Sequence, residues 1–322
     1  MLLWISCYTI PMQRQDFLVK SAVDGLEIRV VTMVPDAQIH GIIQIAHGMA
    51  EHKERYFDFM EYLASNGYVA VINDHRGHGE SIINPEDLGY FYDPSGVAIV
   101  EDLHQITLEI KKRFTDVPVI LFGHSMGSLV VRSYLKKYEQ DIDKLIVCGS
   151  PGKNPLTGIA MGLVRLLKKI KGERHRSAFF HNLAFGSNNK KVGEKELNAW
   201  LCNNKEIIQA YNSDDLCGFT FTLNGFENLF CLLKDAYSKK NWKVQKPELP
   251  ILFVAGENDP VILGEKGWLD AQSCLLDLGY ESVDGILYDE MRHEILNETD
   301  ANLVYSDIID WVSGKLKTME SE

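Results

Sequence analysis

The feature that most constrains the fold of this chain is an alternation of short apolar runs with longer segments of helical periodicity. The runs are rich in valine and isoleucine, and the clearest cover residues 41–47, 68–74, 117–123 and 144–150. Such strands are typical of a parallel sheet that helices cover on both faces. Before them, residues 17–35 predict a hairpin that turns at Asp24 and Gly25. We therefore predict an α/β fold with a mostly parallel central sheet.

The alternation stops after Pro151 and resumes near residue 250. Between these points the sequence contains helical patches and turn residues, and then an apolar strand at 250–256 restores the earlier pattern. A core interrupted by roughly ninety residues favours an inserted cap over a second independent domain. We predict a core from residues 12–151 and 246–317, with a mainly helical cap at residues 152–245.

Composition excludes several classes of protein. The chain has 322 residues, with 33 Lys and Arg against 45 Asp and Glu, and its net charge of −12 argues against general nucleic-acid binding. Its six cysteines are widely spaced, which predicts reduced thiols and neither a zinc site nor a disulfide framework. The apolar opening at residues 1–11 has no preceding basic residue and is short for a signal peptide. We expect a cytoplasmic protein, with Met12 as a possible alternative start.

A serine between two glycines stands where a predicted strand meets a predicted helix. Residues 123–127 read Gly-His-Ser-Met-Gly, which fits the G-x-S-x-G turn that projects a nucleophilic serine above the edge of a sheet. The alternative is a helix whose first turn is capped by Ser125. The position of the motif between an apolar strand and a helix favours the nucleophile.

A serine nucleophile needs a general base, which in folds with this turn follows later in the chain. Three histidines follow Ser125, namely His175, His181 and His293. The first two fall in the predicted cap, whereas His293 comes shortly after the predicted strand at 285–290. His293 is therefore the candidate base.

The base in turn needs a carboxylate that fixes its tautomer. Asp259 lies just beyond the strand at 250–256 and is the preferred candidate, with Glu257 as its rival. Asp289 is too close in sequence to His293 to be favoured. The order serine, acid, histidine, each after a strand, predicts catalysis.

Two backbone amides are candidates for the oxyanion hole. Acyl transfer needs donors for the developing negative charge, usually the amide after the nucleophile and one in the loop after an early strand. Met126 follows Ser125, and Met49 lies in the loop after residues 41–47, where His47 and Gly48 permit a tight turn.

Five segments of the sequence together resemble the monoacylglycerol lipase and lysophospholipase branch of the α/β-hydrolases, which is sometimes labelled serine aminopeptidase-like. They are HGMAEHKERY, NDHRGHGES, GHSMGS, GENDPV and MRHEILNE. The resemblance extends over most of the chain from about Met12. It implies an α/β-hydrolase fold in which Ser125 is the nucleophile, His293 the base and Asp259 the acid.

The resemblance also implies residues that receive the substrate. Family members use the Glu and Arg of the H-G-x-x-E-H-x-x-R-Y segment at the polar end of the pocket, and here these are Glu51 and Arg55. A salt bridge that only braces the loop is an equal alternative for the pair. Residues 74–79 are expected to be structural. Many relatives have a glycine before Met291, and its absence here predicts a local loop change.

The predicted cap contains an amphipathic helix. Its apolar residues share one helical face, and its basic residues lie largely elsewhere; the apolar set is Ile159, Leu163, Leu166, Leu167 and Ile170. We expect this face to pack over the active site. The alternative is transient contact with a membrane surface. Six aromatic residues are candidates for lining an acyl pocket: Phe179, Phe180, Phe185, Phe219, Phe221 and Phe226.

The sequence thus predicts a serine esterase that cleaves monoacylated lipids through an acyl-enzyme. We expect a small lipid ester as substrate, no nucleic-acid partner, no metal and no cofactor. Serine at position 125 excludes a haloalkane dehalogenase, which needs aspartate there. An aminopeptidase remains the alternative, with Asp214 and Asp215 available to an ammonium group. A binding protein without catalysis is disfavoured because all three triad residues are present.

Overall fold

The computed structural model describes residues 12–316, so the predictions for residues 1–11 lie outside the described part of the chain. Within residues 12–316, eight strands form one sheet: β1 (Met12–Lys20), β2 (Glu27–Pro35), β3 (Gly41–Ala46), β4 (Tyr68–Asn73), β5 (Val119–His124), β6 (Lys144–Cys148), β7 (Ile251–Gly256) and β8 (Val283–Tyr288). The strand order is β1-β2-β4-β3-β5-β6-β7-β8. β2 pairs antiparallel with β1 and β4, and the other neighbouring strands pair in parallel. The predicted hairpin and mostly parallel sheet are confirmed.

Ten α-helices accompany the sheet within the described residues: α1 (Phe57–Ser65), α2 (Val97–Arg113), α3 (Met126–Tyr138), α4 (Thr157–Lys171), α5 (Ala178–Phe185), α6 (Asn188–Lys191), α7 (Lys205–Ser213), α8 (Leu223–Ala236), α9 (Gly264–Leu276) and α10 (Ala301–Val312). α2, α3 and α9 cover one face of the sheet, and α1 and α10 cover the other.

Each central strand is buried on both sides, which explains its lack of polar alternation. In β5, Leu121 joins the core beneath α2 and α3, whereas Ile120 and Phe122 join the core beneath α1 and α10. All six residues of β5 are buried. Burying a large apolar side chain stabilises the fold by about 1.5–3 kcal/mol, which favours this two-sided arrangement.

The chain order places the functional loops at one point of the sheet. From β3 the chain passes to β4 on one side, and it later returns to β5 on the other side of β3. In open α/β sheets, ligands bind beyond the carboxyl ends of the strands at such a switch point. The loop after β3 and the turn after β5 therefore lie side by side.

Helices α4 to α8 all lie between β6 and β7, in the segment predicted as the cap. That segment, residues 152–245, is described throughout and contains an isolated bridge between Arg176 and Thr222 but no strand of the sheet. α8 packs against α4 and also against α3 of the core. The boundaries at residues 152 and 245 stay a prediction.

The apolar face predicted for α4 is divided, because Ile159 and Leu163 line a cavity at Ser125 whereas Leu166 and Ile170 are exposed. The buried residues of α4 are Thr157, Met161 and Val164, and Ile159 and Ile170 of the predicted inward face are 71% and 69% exposed. Two basic side chains of α4 pair with α8. Arg165 and Lys168 both pair with Glu227 at 2.7 Å.

None of the helices in residues 12–316 has the length and apolar character needed to span a bilayer.

Candidate active site

Ser125 occupies the sharp turn between β5 and α3. Its backbone has φ 52° and ψ −116°, a conformation that non-glycine residues rarely adopt and that stores strain. Both flanking glycines are required by close packing. A Cβ on Gly127 would lie 2.0 Å from the carbonyl oxygen of Ala46, and one on Gly123 would lie 2.5 Å from the carbonyl oxygen of Gly127. The turn can therefore form only because these two positions lack side chains.

Ser125, His293 and Asp259 form a continuous hydrogen-bonded chain. His293 Nε2 lies 2.8 Å from Ser125 Oγ, and His293 Nδ1 lies 2.8 Å from Asp259 Oδ2. Asp259 and His293 are both 2% exposed. The second oxygen of Asp259 accepts the amide of Val261 at 2.7 Å, which fixes the carboxylate. This is the arrangement in which an imidazole can remove a serine proton.

The rival candidates lie elsewhere. Glu257 and Asp289 are exposed at the ends of β7 and β8, and neither accepts a bond from the imidazole of His293. His175 is exposed in the cap. His181 is half-buried and lines a cavity beside Ser125.

The loop after β3 approaches Ser125 at Gly48. A Cβ on Gly48 would lie 3.3 Å from the Cβ of Ser125, so the loop backbone is in close contact with the turn. Among the residues that the structure describes, the amides of Met49 and Met126 donate to no protein acceptor. Both residues line the cavity at Ser125. The two amides are thus available to an oxyanion.

An apolar cavity of about 370 Å³ opens on one side of Ser125. Its walls come from the cap and from α3, and they are almost entirely aliphatic and aromatic; they include Leu129, Ile159, Leu163, Phe180, Leu229 and Phe230. Its rim carries exposed apolar side chains, among them Leu156, Phe179 and Leu183. The cavity suits an alkyl chain.

A second, smaller cavity of about 120 Å³ opens on the other side of Ser125. Ser125 and Met49 line both cavities. The walls of the second one combine polar and aromatic groups, including Glu51, His124, Trp200, Tyr211 and Glu294. Ser125 therefore stands between an apolar and a polar compartment.

A buried ion-pair network forms one wall of the polar cavity. The Arg55 guanidinium is held between Glu51, at 2.5 Å, and Glu294, whose two oxygens lie 2.8 and 2.5 Å away. Arg55 also lies 4.7 Å above the ring of Tyr211. Glu51 and Glu294 line the cavity, whereas Arg55 lies behind them. Its guanidinium therefore has carboxylate partners on both sides.

Glu51 also holds the loop that contacts Ser125. It accepts the Gly48 amide at 2.6 Å and the Tyr56 hydroxyl at 2.9 Å. Burial alone would raise the pKa of Glu51, but Arg55 and His124 lower that pKa well below its ordinary value, so Glu51 is a carboxylate at neutral pH. Burial lowers the pKa of His124, and Glu51 more than offsets this, so that pKa is raised.

Comparison with known proteins identifies the family. The family described as serine aminopeptidase, S33, matches residues 37–300. The chain belongs to this family of hydrolases.

Its relatives include the monoacylglycerol lipase of Mycolicibacterium smegmatis, 25% identical over 92% of this chain and 96% of that protein. Another is the monoglyceride lipase of Rattus norvegicus, 25% identical over 95% of this chain and 93% of that protein. A thermostable carboxyl esterase from Bacillus coagulans, solved with glycerol, has the same fold, with a TM-score of 0.86 and 24% identity. The match covers 94% of this chain and 99% of that protein. The expected family, fold and enzyme class, a carboxylic ester hydrolase, are confirmed.

The six cap phenylalanines of the hydrolase divide into two groups. Phe179, Phe180 and Phe185 line the apolar cavity. Phe219 and Phe221 instead pack around His78 of the core, and Phe226 is fully buried against Phe221.

Residues 74–79 of the hydrolase have structural contacts, as expected. Arg76 is fully buried and pairs with Asp102 and Asp24. Asp74 pairs with Lys53 at 2.7 Å.

Sequence reasoning missed Glu294, Trp200 and Tyr211 in the wall of the polar cavity. Glu294 had one available signal, since it directly follows the candidate base. Trp200 and Tyr211 belong to the cap, where the sequence carried no pattern that points to the site.

Proposed function

We propose that this hydrolase cleaves the ester bond of a monoacylated lipid whose alcohol part is neutral and small, as in a monoacylglycerol. The observation that carries the proposal is the position of Ser125 between the apolar and the polar cavity. When the acyl chain occupies the apolar cavity and the glycerol group occupies the polar cavity, the ester carbonyl lies between them, at Ser125. The names of the relatives agree with this substrate class.

The reaction begins with acylation of Ser125. His293 Nε2 removes the Ser125 proton as Oγ attacks the ester carbonyl, and Asp259 holds Nδ1 and stabilises the imidazolium. The amides of Met49 and Met126 donate to the oxyanion. His293 then gives its proton to the departing glycerol oxygen, and the acyl-enzyme remains.

Deacylation repeats these steps with water as the nucleophile. His293 takes a proton from water, the hydroxide adds to the acyl carbonyl, and the fatty acid leaves as Ser125 recovers its proton. The residues of this chain supply every proton transfer in the two half-reactions.

The polar wall favours a neutral alcohol over a phosphate. Glu51 and Glu294 present carboxylate oxygens, which accept hydrogen bonds from hydroxyl groups. Both would repel a phosphate. Arg55, the nearby guanidinium that would attract one, is paired with both carboxylates. We therefore favour monoacylglycerols over lysophospholipids.

An aminopeptidase is disfavoured by the placement of its candidate carboxylates. Asp214 pairs with His52 at 2.8 Å, and Asp215 is exposed. Neither residue lines the two cavities. An ammonium group at the scissile bond would therefore not reach them.

The exposed rim of the apolar cavity supports the alternative given for the cap, a transient contact with a lipid surface. Leu156, Ile159, Phe179 and Leu183 are each more than half exposed and line the cavity or its rim. A monoacylated lipid has its acyl chain in a bilayer, and an apolar rim lets the chain pass into the cavity without crossing water.

A hydrolysis panel tests the proposal. Wild type and Ser125→Ala are compared on a monoacylglycerol, a lysophospholipid with the same acyl chain, a short p-nitrophenyl ester and an aminoacyl amide. We expect the highest kcat/KM on the monoacylglycerol and no turnover by Ser125→Ala, whose circular dichroism spectrum should match wild type. Cleavage confined to the aminoacyl amide, or turnover by Ser125→Ala, would refute the assignment.

A further inference from the structure

Three potential metal ligands from distant parts of the sequence meet where the cap contacts the core. The imidazole of His52, the carboxylate of Asp214 and the thiol of Cys217 have ligand atoms that all lie within 4.8 Å of one another. His52 Nε2 is 2.8 Å from Asp214 Oδ2. None of the three residues belongs to the triad or lines the two cavities. The proposed reaction therefore does not explain this cluster.

The surroundings of the cluster orient its ligand atoms. The other ring nitrogen of His52, Nδ1, is hydrogen-bonded to the carboxylate of Glu54, which leaves Nε2 directed towards Asp214. Histidines that bind metals usually donate their second N–H to a carboxylate in this way. Asp214 Oδ1 accepts the amide of Leu216 at 2.8 Å, so Oδ2 faces His52.

Contacts outside the cluster hold its two halves together. The Tyr211 hydroxyl and the Gly218 amide both donate to the carbonyl oxygen of Ala50, at 3.0 and 2.9 Å. These bonds join the cap segment that carries Asp214 and Cys217 to the core loop that carries His52. These contacts position the ligand atoms, which reduces the conformational entropy lost when a cation binds.

We propose that His52, Asp214 and Cys217 form a binding site for Zn²⁺ or a similar divalent cation. Nitrogen, oxygen and sulfur donors suit zinc, and water would complete a tetrahedral site. Tetrahedral ligands around zinc are about 3.3–3.5 Å apart, so the ligand atoms need only small movements. On binding, the Cys217 thiol and the hydrogen bond between His52 Nε2 and Asp214 Oδ2 each release a proton to solvent, and zinc–sulfur, zinc–nitrogen and zinc–oxygen bonds form.

The cation has a path to the site from solvent. The side chain of Asp214 is 34% exposed, whereas that of His52 is 8% exposed. A cation can therefore meet Asp214 first and then His52 and Cys217. Once bound, it would tether the cap to the loop that contains Met49.

Titration with Co²⁺ tests the site directly, because a cobalt–thiolate bond gives an ultraviolet charge-transfer band and tetrahedral cobalt gives visible bands. We expect both in wild type and in Cys274→Ser, which removes a half-buried thiol of α9. Cys217→Ser should lose the charge-transfer band. Asp214→Asn, at a partly exposed position, should weaken binding at least tenfold.

Thermal unfolding provides the second readout. Free Zn²⁺ at a hundred times the wild-type Kd should raise the Tm of wild type by about 5 °C and that of Asp214→Asn by at most about half as much. A charge-transfer band of equal strength in Cys217→Ser, or an equal rise in Tm for Asp214→Asn, overturns the proposal. These readouts do not depend on ester hydrolysis, so they separate this site from the proposed function.

Discussion

Replacing Glu294 with glutamine should weaken the discrimination against anionic head groups that we propose for the hydrolase. Glu294 lines the polar cavity and pairs with Arg55 through both oxygens. Glutamine keeps the size of the side chain and one acceptor oxygen, but it removes a negative charge from the wall. Arg55 then has one carboxylate partner, Glu51, and its guanidinium is freer to attract a phosphate.

The magnitude follows from Coulomb's law. A singly charged phosphate in a cavity of about 120 Å³ comes within about 6 Å of the Glu294 carboxylate. With an effective dielectric constant of about 20, the repulsion is about 2.8 kcal/mol, which corresponds to about a hundredfold in rate or affinity. We therefore expect the ratio of kcat/KM for an acylglycerol phosphate to that for the matching monoacylglycerol to rise 10- to 100-fold.

The assay measures kcat/KM for both substrates at equal acyl chain length, below their critical micelle concentrations. Glu298→Gln is the matched control, because it makes the same change in a buried carboxyl of the same loop, and Glu298 lines neither cavity. Glu298 accepts the amides of Asn203 and Arg292 instead. An unchanged ratio in Glu294→Gln, or an equal rise in Glu298→Gln, would refute the electrostatic argument.

Three further predictions concern stability and lipid contact. Gly127→Ala should abolish ester turnover and destabilise the fold by about 1–3 kcal/mol, because the added Cβ meets a backbone carbonyl. Gly162→Ala, in open space within α4, should instead stabilise the fold by about 0.5–1 kcal/mol. Chemical denaturation measures the free energy of unfolding of both variants. Leu166→Ser with Ile170→Ser should lower affinity for neutral vesicles about 30-fold in cosedimentation and leave turnover of a short soluble ester unchanged. Burial lowers the pKa of His78 from an ordinary 6.5 to about 3, so as the pH drops between these values the unfolded chain binds the proton and the folded chain does not. The free energy of unfolding should therefore fall, by about 2 kcal/mol at pH 5. Denaturation of His78→Phe should show a weaker dependence of the free energy of unfolding on pH, and a dependence equal to that of wild type would contradict this.

The sequence revealed those features that depend on local patterns. The turn at Ser125 was predictable because its glycines, strand and helix are contiguous. His293 and Asp259 were predictable because each follows a strand, and parallel strands bring their carboxyl ends to one edge of the sheet. The shared edge is sufficient to bring these side chains within hydrogen-bonding distance of each other.

Features that depend on contacts between distant segments were not predictable. His52 and Asp214 are 162 positions apart, and no spacing rule for metal ligands spans such a separation. The periodicity of α4 identified an apolar face, but it did not identify which residues of that face line the cavity and which are exposed. The pairing of Arg165 and Lys168 with Glu227 depends on where α8 lies, which local sequence does not specify.

The ion-pair network at the polar cavity is better explained by a role in substrate selection than by a contribution to stability. Glu51, Arg55 and Glu294 are nearly inaccessible to solvent, with side chains 3%, 11% and 4% exposed. Buried ion pairs gain little over apolar residues of similar size, since desolvation offsets most of their attraction. An apolar wall would therefore hold the fold equally well, but it would leave the glycerol hydroxyls without acceptors, and each unpaired buried hydroxyl costs about 1–3 kcal/mol. In the proposed function, the carboxylates accept the hydroxyl groups of the alcohol, and Arg55 lowers the pKa of Glu51 while remaining too well paired to attract a phosphate.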